Sequence, residues 1–218
     1  MMLKRWILPV VAAAALVAAP AHALSLRVTD SNGNTSGVLN DGGTGVINFN
    51  APLGVWAINV TTGLGPPALS PYTFDLNSVN VSNTAAVAGF LDLELSQDNL
   101  NANEIGDLVK FLGRIGGTTQ GMVTWTLFLD DTNALFGQQM AFGTDSSNAG
   151  AFADTFASSA ALTDEFSITL FVRINHGNGN RVSSFDYQVQ LIPEPGTLAL
   201  LGAALLGLVW IRRRSRAR

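Results

Sequence analysis

The chain has 218 residues, no cysteine, and 16 acidic against 12 basic side chains, for a formal net charge of −4. Disulfide stapling and thiol catalysis are thereby excluded. Between Leu24 and Ile192 five basic residues (Arg27, Lys110, Arg114, Arg173, Arg181) face fifteen acidic ones, leaving −10, which argues against nucleic acid as a partner because phosphate binding needs clustered cations.

Met1 to Ala23 have the layout of a secretory signal peptide: Lys4 and Arg5, an apolar run from Trp6 to Ala19, then Ala21-His22-Ala23 as an A-x-A cleavage site. Signal peptidase is expected to cut before Leu24. The alternative, an uncleaved anchor, fits poorly with Pro9 and Pro20 bracketing so short a span. The chain therefore divides into 1–23, an exported region 24–192 long enough for one domain with its own core, and a distinct segment 193–218.

The exported region is dominated by alternation of period two, the pattern of half-buried strands. Leu24, Leu26 and Val28 alternate with Ser25, Arg27 and Thr29 before a turn at Asp30-Ser31-Asn32-Gly33-Asn34. Ile47, Phe49 and Ala51 follow, then Trp56, Ile58 and Val60, and a Gly63-Leu64-Gly65-Pro66-Pro67 loop. Tyr72, Phe74 and Leu76 form the next strand, and Leu91, Leu93 and Leu95 another, with Asp92 and Glu94 on its wet face. Ile105, Leu108, Val109 and Leu112 carry helical spacing behind a capping box at Asn101 and Glu104, which favours a short helix, although Leu108, Lys110 and Leu112 also alternate as a strand would. Val123, Trp125, Leu127 and Leu129 alternate clearly, with Phe128 out of phase. Ala149 to Leu162, rich in Ala and Ser, fits either state. Ile168 to Ile174 and Phe185 to Leu191 read as a terminal hairpin about His176-Gly177-Asn178-Gly179-Asn180. The fold class expected is all-β, a single antiparallel β-sandwich of jelly-roll or immunoglobulin-like type, with eight to ten short strands.

Candidate chemistry in this region is sparse. His22 leaves with the signal peptide, so His176 is the one histidine of the mature chain, and in its glycine-rich setting it reads as an exposed turn residue. Asp92 and Glu94 share a strand face and would be the carboxylate pair of a glycoside hydrolase, a spacing that equally describes any solvated strand. Asp30, Asn32, Asn34 and Asp41 follow part of a calcium-loop pattern, with Thr35 where that loop needs glycine, and Asp130, Asp131 and Asn133 form a second oxygen cluster. Trp56 and Trp125 are in phase with core residues rather than placed as sugar-stacking platforms. No catalytic residue, resident metal or cofactor is assigned; the domain is expected to be non-enzymatic, with a carbohydrate- or calcium-binding module as the alternative.

The last segment has three parts. Pro193-Glu194-Pro195-Gly196-Thr197 fixes φ at both prolines and holds the chain extended, the form in which proteases bind substrates. Leu198 to Ile211 is an uncharged apolar run of roughly 21 Å as a helix, short for a membrane but extended by Trp210 and by snorkelling arginines. Arg212, Arg213, Arg214, Arg216 and Arg218 act as a stop to translocation and keep the end cytoplasmic. A plain membrane anchor behind a proline-rich linker would share these features.

In this order the three parts resemble the bacterial PEP-CTERM sorting signal. That resemblance implies an exosortase, a membrane protease-transpeptidase, as processing partner; it also implies passage through the inner membrane of a Gram-negative bacterium to the cell surface or matrix, and a link to exopolysaccharide and biofilm. Other exported PEP-CTERM proteins are similar through the Gly116-Gly117-Thr118-Thr119 turn, the Asp130-Asp131-Thr132-Asn133 loop and Ser183-Ser184-Phe185-Asp186, without a body function to carry over.

Overall fold

The computed structural model of the chain describes residues 24–83, 87–105, 108–162 and 164–193. The expected signal peptide (1–23), with Ala21 and Ala23, lies outside the described residues. So do Glu194 to Thr197, the apolar run 198–211 and the arginines from Arg212 to Arg218. Among the described residues no helix is long and apolar enough to cross a membrane.

The elements in order are β1 (Leu24–Asp30), β2 (Thr35–Asn40), β3 (Val46–Leu53), β4 (Trp56–Leu64), β5 (Thr73–Asn83), β6 (Gly89–Asn101), α1 (Ala102–Ile105), β7 (Leu108–Asp130), β8 (Met140–Ala161), β9 (Glu165–His176) and β10 (Arg181–Ile192). All pairings are antiparallel, in the order β2-β1-β6-β9-β7-β10-β5-β4-β3, with β8 paired to β7 off this path. The all-β antiparallel expectation therefore stands.

β7 explains how one sheet makes two layers. Its inward residues keep odd numbers throughout, from Val109, Phe111 and Ile115 to Val123, Trp125, Leu127 and Leu129. Its first half, Lys110 to Thr119, pairs with β10, whereas Met122 to Asp130 pairs with β9. The strand turns at Gln120 and Gly121, where its register with β8 also shifts. The long hairpin is thereby folded across its own length: Phe111 meets Phe142 edge-on at 4.9 Å, and Phe156 reaches both Gly113 and Gly143. Elsewhere β4 lies over β6 and β9, since a Cβ at Gly63 would fall 2.6 Å from Leu95 Cδ1 and the Trp56 ring stands 5.0 Å from His176. The inward residues of both layers form one apolar cluster.

Four sequence expectations change. The segment 101–112 is both things in turn: four helical residues, in which Asn101 Oδ1 accepts from the Asn103 N–H, and then strand from Leu108. Ala149 to Ala161 is strand. Gly116-Gly117-Thr118-Thr119 is no turn but the interior of β7, where Gly117 admits β10: a Cβ there would lie 2.2 Å from the Ser184 carbonyl oxygen. β9 and β10 are not a hairpin, because each pairs with a different half of β7 and the link between them crosses from layer to layer.

Candidate functional site

Outward positions of β1, β6 and β9 come into register as two rows. Arg27 stands opposite Glu94, and Glu94 opposite Phe171; Thr29 stands opposite Asp92, and Asp92 opposite Arg173. Arg27 Nε donates to Glu94 Oε2 at 2.6 Å. Arg173 binds Asp92 with both ends of its fork, Nε to Oδ1 at 2.7 Å and Nη2 to Oδ2 at 2.8 Å. Each guanidinium also covers an aromatic ring, Arg27 over Phe136 and Arg173 over Phe90, both at 4.3 Å.

The connection from β7 to β8 folds back over this face. Phe136 N–H donates to Ser96 Oγ at 3.0 Å, Ser167 Oγ to the Ala134 carbonyl at 2.6 Å, and Gln138 Nε2 to Glu94 Oε1 at 3.3 Å. What stays open is a depression of about 580 Å³ lined by Arg27, Asp92, Glu94, Gln138, Phe171 and Arg173 among others. Paired planar forks, an amide and a ring edge can meet a ligand that offers several hydroxyl groups on an apolar frame. Asp92 and Glu94 are thus placed together, as their spacing requires, but each is held by an arginine.

The two oxygen clusters are organisers of turns. Asp30 Oδ1 accepts from the N–H groups of Asn32 and Asn34, both at 2.9 Å, and Oδ2 from Asn34 Nδ2 at 2.8 Å. Burial opposes the charge on Asp30, yet these bonds hold its carboxyl below the ordinary value. Asp41 lies at the other end of β2, roughly 20 Å along the strand, where its Oδ2 accepts from Gly45 N–H at 2.6 Å. The twelve-residue spacing is therefore a strand hairpin and does not gather its ends. Asp130 Oδ1 accepts from Thr132 N–H at 2.9 Å, Asn133 exchanges hydrogen bonds with Asn99 at 2.7 and 2.8 Å, and Asp131 is exposed. Among the described residues no group of three or more metal-ligating side chains converges.

His176 differs most from expectation. It is 2% exposed, tilted against Trp56, with Nε2 hydrogen-bonded to Ser183 Oγ at 2.8 Å; Ser183 in turn meets Thr119 Oγ1 at 2.7 Å. β9 runs one residue further than the turn composition implied and draws the ring into the core. Burial, with Arg181 nearby, pushes its pKa down to about 4. The unfolded chain binds this proton near pH 6.5, so stability is full above that value and falls as pH drops towards 4, by about 3 kcal/mol in all. Urea unfolding of residues 24–193 at a series of pH values is expected to show this loss, and His176→Gln to remove that part of the pH dependence.

Trp56, Trp125 and Tyr187 are core residues, as their phase implied, but Tyr72 sits in a turn before β5 and donates its hydroxyl to Glu104 Oε2 at 3.1 Å. On the other layer Asp75 is buried and its carboxyl is raised to about 6 by burial and by Asp186.

The described fold is an acidic all-β domain whose last strand ends at Ile192, directly before Pro193. Residues 191–214 match the PEP-CTERM protein-sorting motif. The chain thus carries a PEP-CTERM protein-sorting motif at its carboxyl end, the kind of signal that an exosortase reads at the membrane. The match begins at Leu191 and takes in only the last two residues of β10 from the domain. No curated protein matches the chain. Among solved structures it is similar to TmCBM61 in complex with β-1,4-galactotriose, at 11% identity and TM-score 0.33 over 64% of this chain and 88% of that one. It is also similar to CBM29_1, a family 29 carbohydrate-binding module from Piromyces equi, at 12% identity and TM-score 0.28 over 77% and 90%. A third similarity is to the enzymatically active domain of tailspike protein 4 of bacteriophage CBA120, at 13% identity and TM-score 0.35 over 67% and 19%.

Proposed function

We propose that residues 24–193 form a non-enzymatic β-sandwich that a Gram-negative bacterium exports across its inner membrane and installs in an exopolysaccharide-rich surface layer. Signal peptidase removes 1–23 and an exosortase processes the chain between Pro193 and Thr197. The observation that carries this reading is the junction: the sorting motif starts inside β10, whose Leu191 N–H donates to the Tyr72 carbonyl at 2.8 Å, while Pro193 is exposed. Folded body and processing peptide therefore meet without a linker, and cleavage on the amino side of Pro193 would cut into a strand held on both edges. The burial of His176 supports the non-enzymatic part, because that histidine and its hydrogen-bonded Ser183 are both closed off from solvent and from any substrate. In a strain lacking its exosortase the full-length chain should collect in the inner membrane; unchanged release to the surface would overturn the reading.

A second reading, carbohydrate binding, rests on the depression between β1, β6 and β9. Its neutralised forks suit hydroxyl-rich chains and avoid the repulsion that a naked acidic face would impose on anionic polysaccharide. Affinity electrophoresis against the producer's own exopolysaccharide should show retardation that Arg173→Ala weakens by about tenfold, with circular dichroism unchanged. Equal mobility with and without polysaccharide would refute it.

A further inference from the structure

The chain has three free strand edges among its described residues, and two are guarded. β2 is six residues long and broken by Gly37 at φ 68, and β3 carries Pro52. Short length, irregularity and proline are the usual defences of an edge. β8 has none of these in its second half. It pairs with β7 on one side only, and from Ala151 to Ala161 it contains no lysine, arginine, proline or glycine and a single charge, Asp154. The pairing with β7 is unbroken in register over this stretch, so the edge is regular for eleven residues. Its outward side chains, Ala151, Ala153, Thr155, Ala157, Ser159 and Ala161, are small and exposed.

We propose that this edge pairs, antiparallel and about a two-fold axis, with the same edge of a second copy of the chain. Charge selects the partner and excludes one register, and overlap of all eleven regular residues, 151–161, centres the axis on Phe156. The exported region carries −10 in all, so two copies repel over most of their surface, and the 151–161 strip with one carboxylate is where they approach at least cost. An axis at Asp154 would set two carboxylates face to face. An axis at Phe156 instead sets Asp154 opposite Ser158 and puts Thr155 opposite Ala157, Ala153 opposite Ser159 and Ala151 opposite Ala161, all small pairs. The layer that contains β10 then continues into the partner, and the interface is isologous and closed.

The cysteine-free background makes the register directly readable. Two differently tagged full-length chains, one with Thr155→Cys and the other with Ala157→Cys, are co-expressed, solubilised in detergent and oxidised. Directly opposed residues of an antiparallel pair meet disulfide geometry, whereas a displacement by two residues does not. A mixed disulfide dimer is expected at several times the yield of the Ala153→Cys with Ala157→Cys pair, and Ala157→Lys placed in the Thr155→Cys chain should suppress it. No covalent dimer, or equal yields for the two pairs, would overturn the proposal, and crosslinks to a different protein would assign the edge to another partner. Thermal unfolding of each variant, matching the parent, shows that a missing dimer is not a missing fold.

Discussion

Replacing Pro193, Glu194 and Pro195 together with alanine should abolish removal of the tail while leaving export of the domain intact. The two prolines lock φ and deny the peptide a place in a helix or a sheet, so the sequence leads one to expect an extended, accessible segment after Ile192. Alanines remove both locks and the one negative charge, and they let the helix expected over 198–211 grow upward from Thr197. β10 is complete at Ile192, so the variant folds as before. The expected result is a full-length protein in the membrane fraction with its domain outside, and normal processing of the variant would reduce Pro-Glu-Pro to a linker. Neutralising the five arginines should act differently, disturbing orientation or retention first, because clustered arginines behind an apolar run are expected to set the stop and not the cut.

The second large effect lies at the turn of β7. Gly121→Ala should destabilise the domain severely, on the order of 4 kcal/mol, a large part of what an ordinary domain possesses. A Cβ at this position would fall 2.1 Å from the Asn175 carbonyl oxygen and 2.7 Å from His176 Cδ2. The first of these is backbone of a paired strand and cannot swing aside. Gly121 N–H is also bonded to Thr119 Oγ1 at 3.0 Å, which ties it to the chain from Thr119 through Ser183 to His176. Gly150→Ala is the comparison: its φ of 92 disfavours alanine, but nothing lies within 4 Å, so it should cost about 1 to 2 kcal/mol. Chemical denaturation of both variants of residues 24–193 separates contact from backbone strain; similar losses would mean that the turn tolerates a side chain.

Strands were legible wherever the inward residue had a side chain to show. Val123, Trp125, Leu127 and Leu129 announce half of β7, but its first half has Gly113 and Gly117 at inward positions, and the alternation vanishes from the letters although it persists in the backbone. Pairs of glycines there resemble a turn, and their actual reason, the approach of Phe156 and of the Ser184 carbonyl, is tertiary. His176 misled in the same way: the glycines after it belong to the crossing between layers, while the histidine itself ends a strand.

The candidate site was half visible. Asp92 and Glu94 stand out as an acidic strand face, but their partners lie 67 and 81 positions away along the chain, in strands whose neighbourhood no local pattern fixes. Arg27 and Arg173 are two of only five cations in the exported region, each out of phase with its apolar neighbours. That scarcity was the one available signal. At the calcium-like spacings the structure shows local work: Asp30 and Asp130 accept hydrogen bonds from the turns that follow them, and Thr35 to Asn40 extend as strand.

Intact-mass spectrometry of the protein recovered from the cell surface tests the sorting account most directly. Leu24 is fully buried in β1 and paired with Gln97, and removal of the expected signal peptide should leave it as the amino terminus. At the other end the expected carboxyl terminus lies between Pro193 and Thr197, with β10 whole and every arginine of the tail gone. Surface protein that still runs to Arg218, or that ends inside β10, would contradict it.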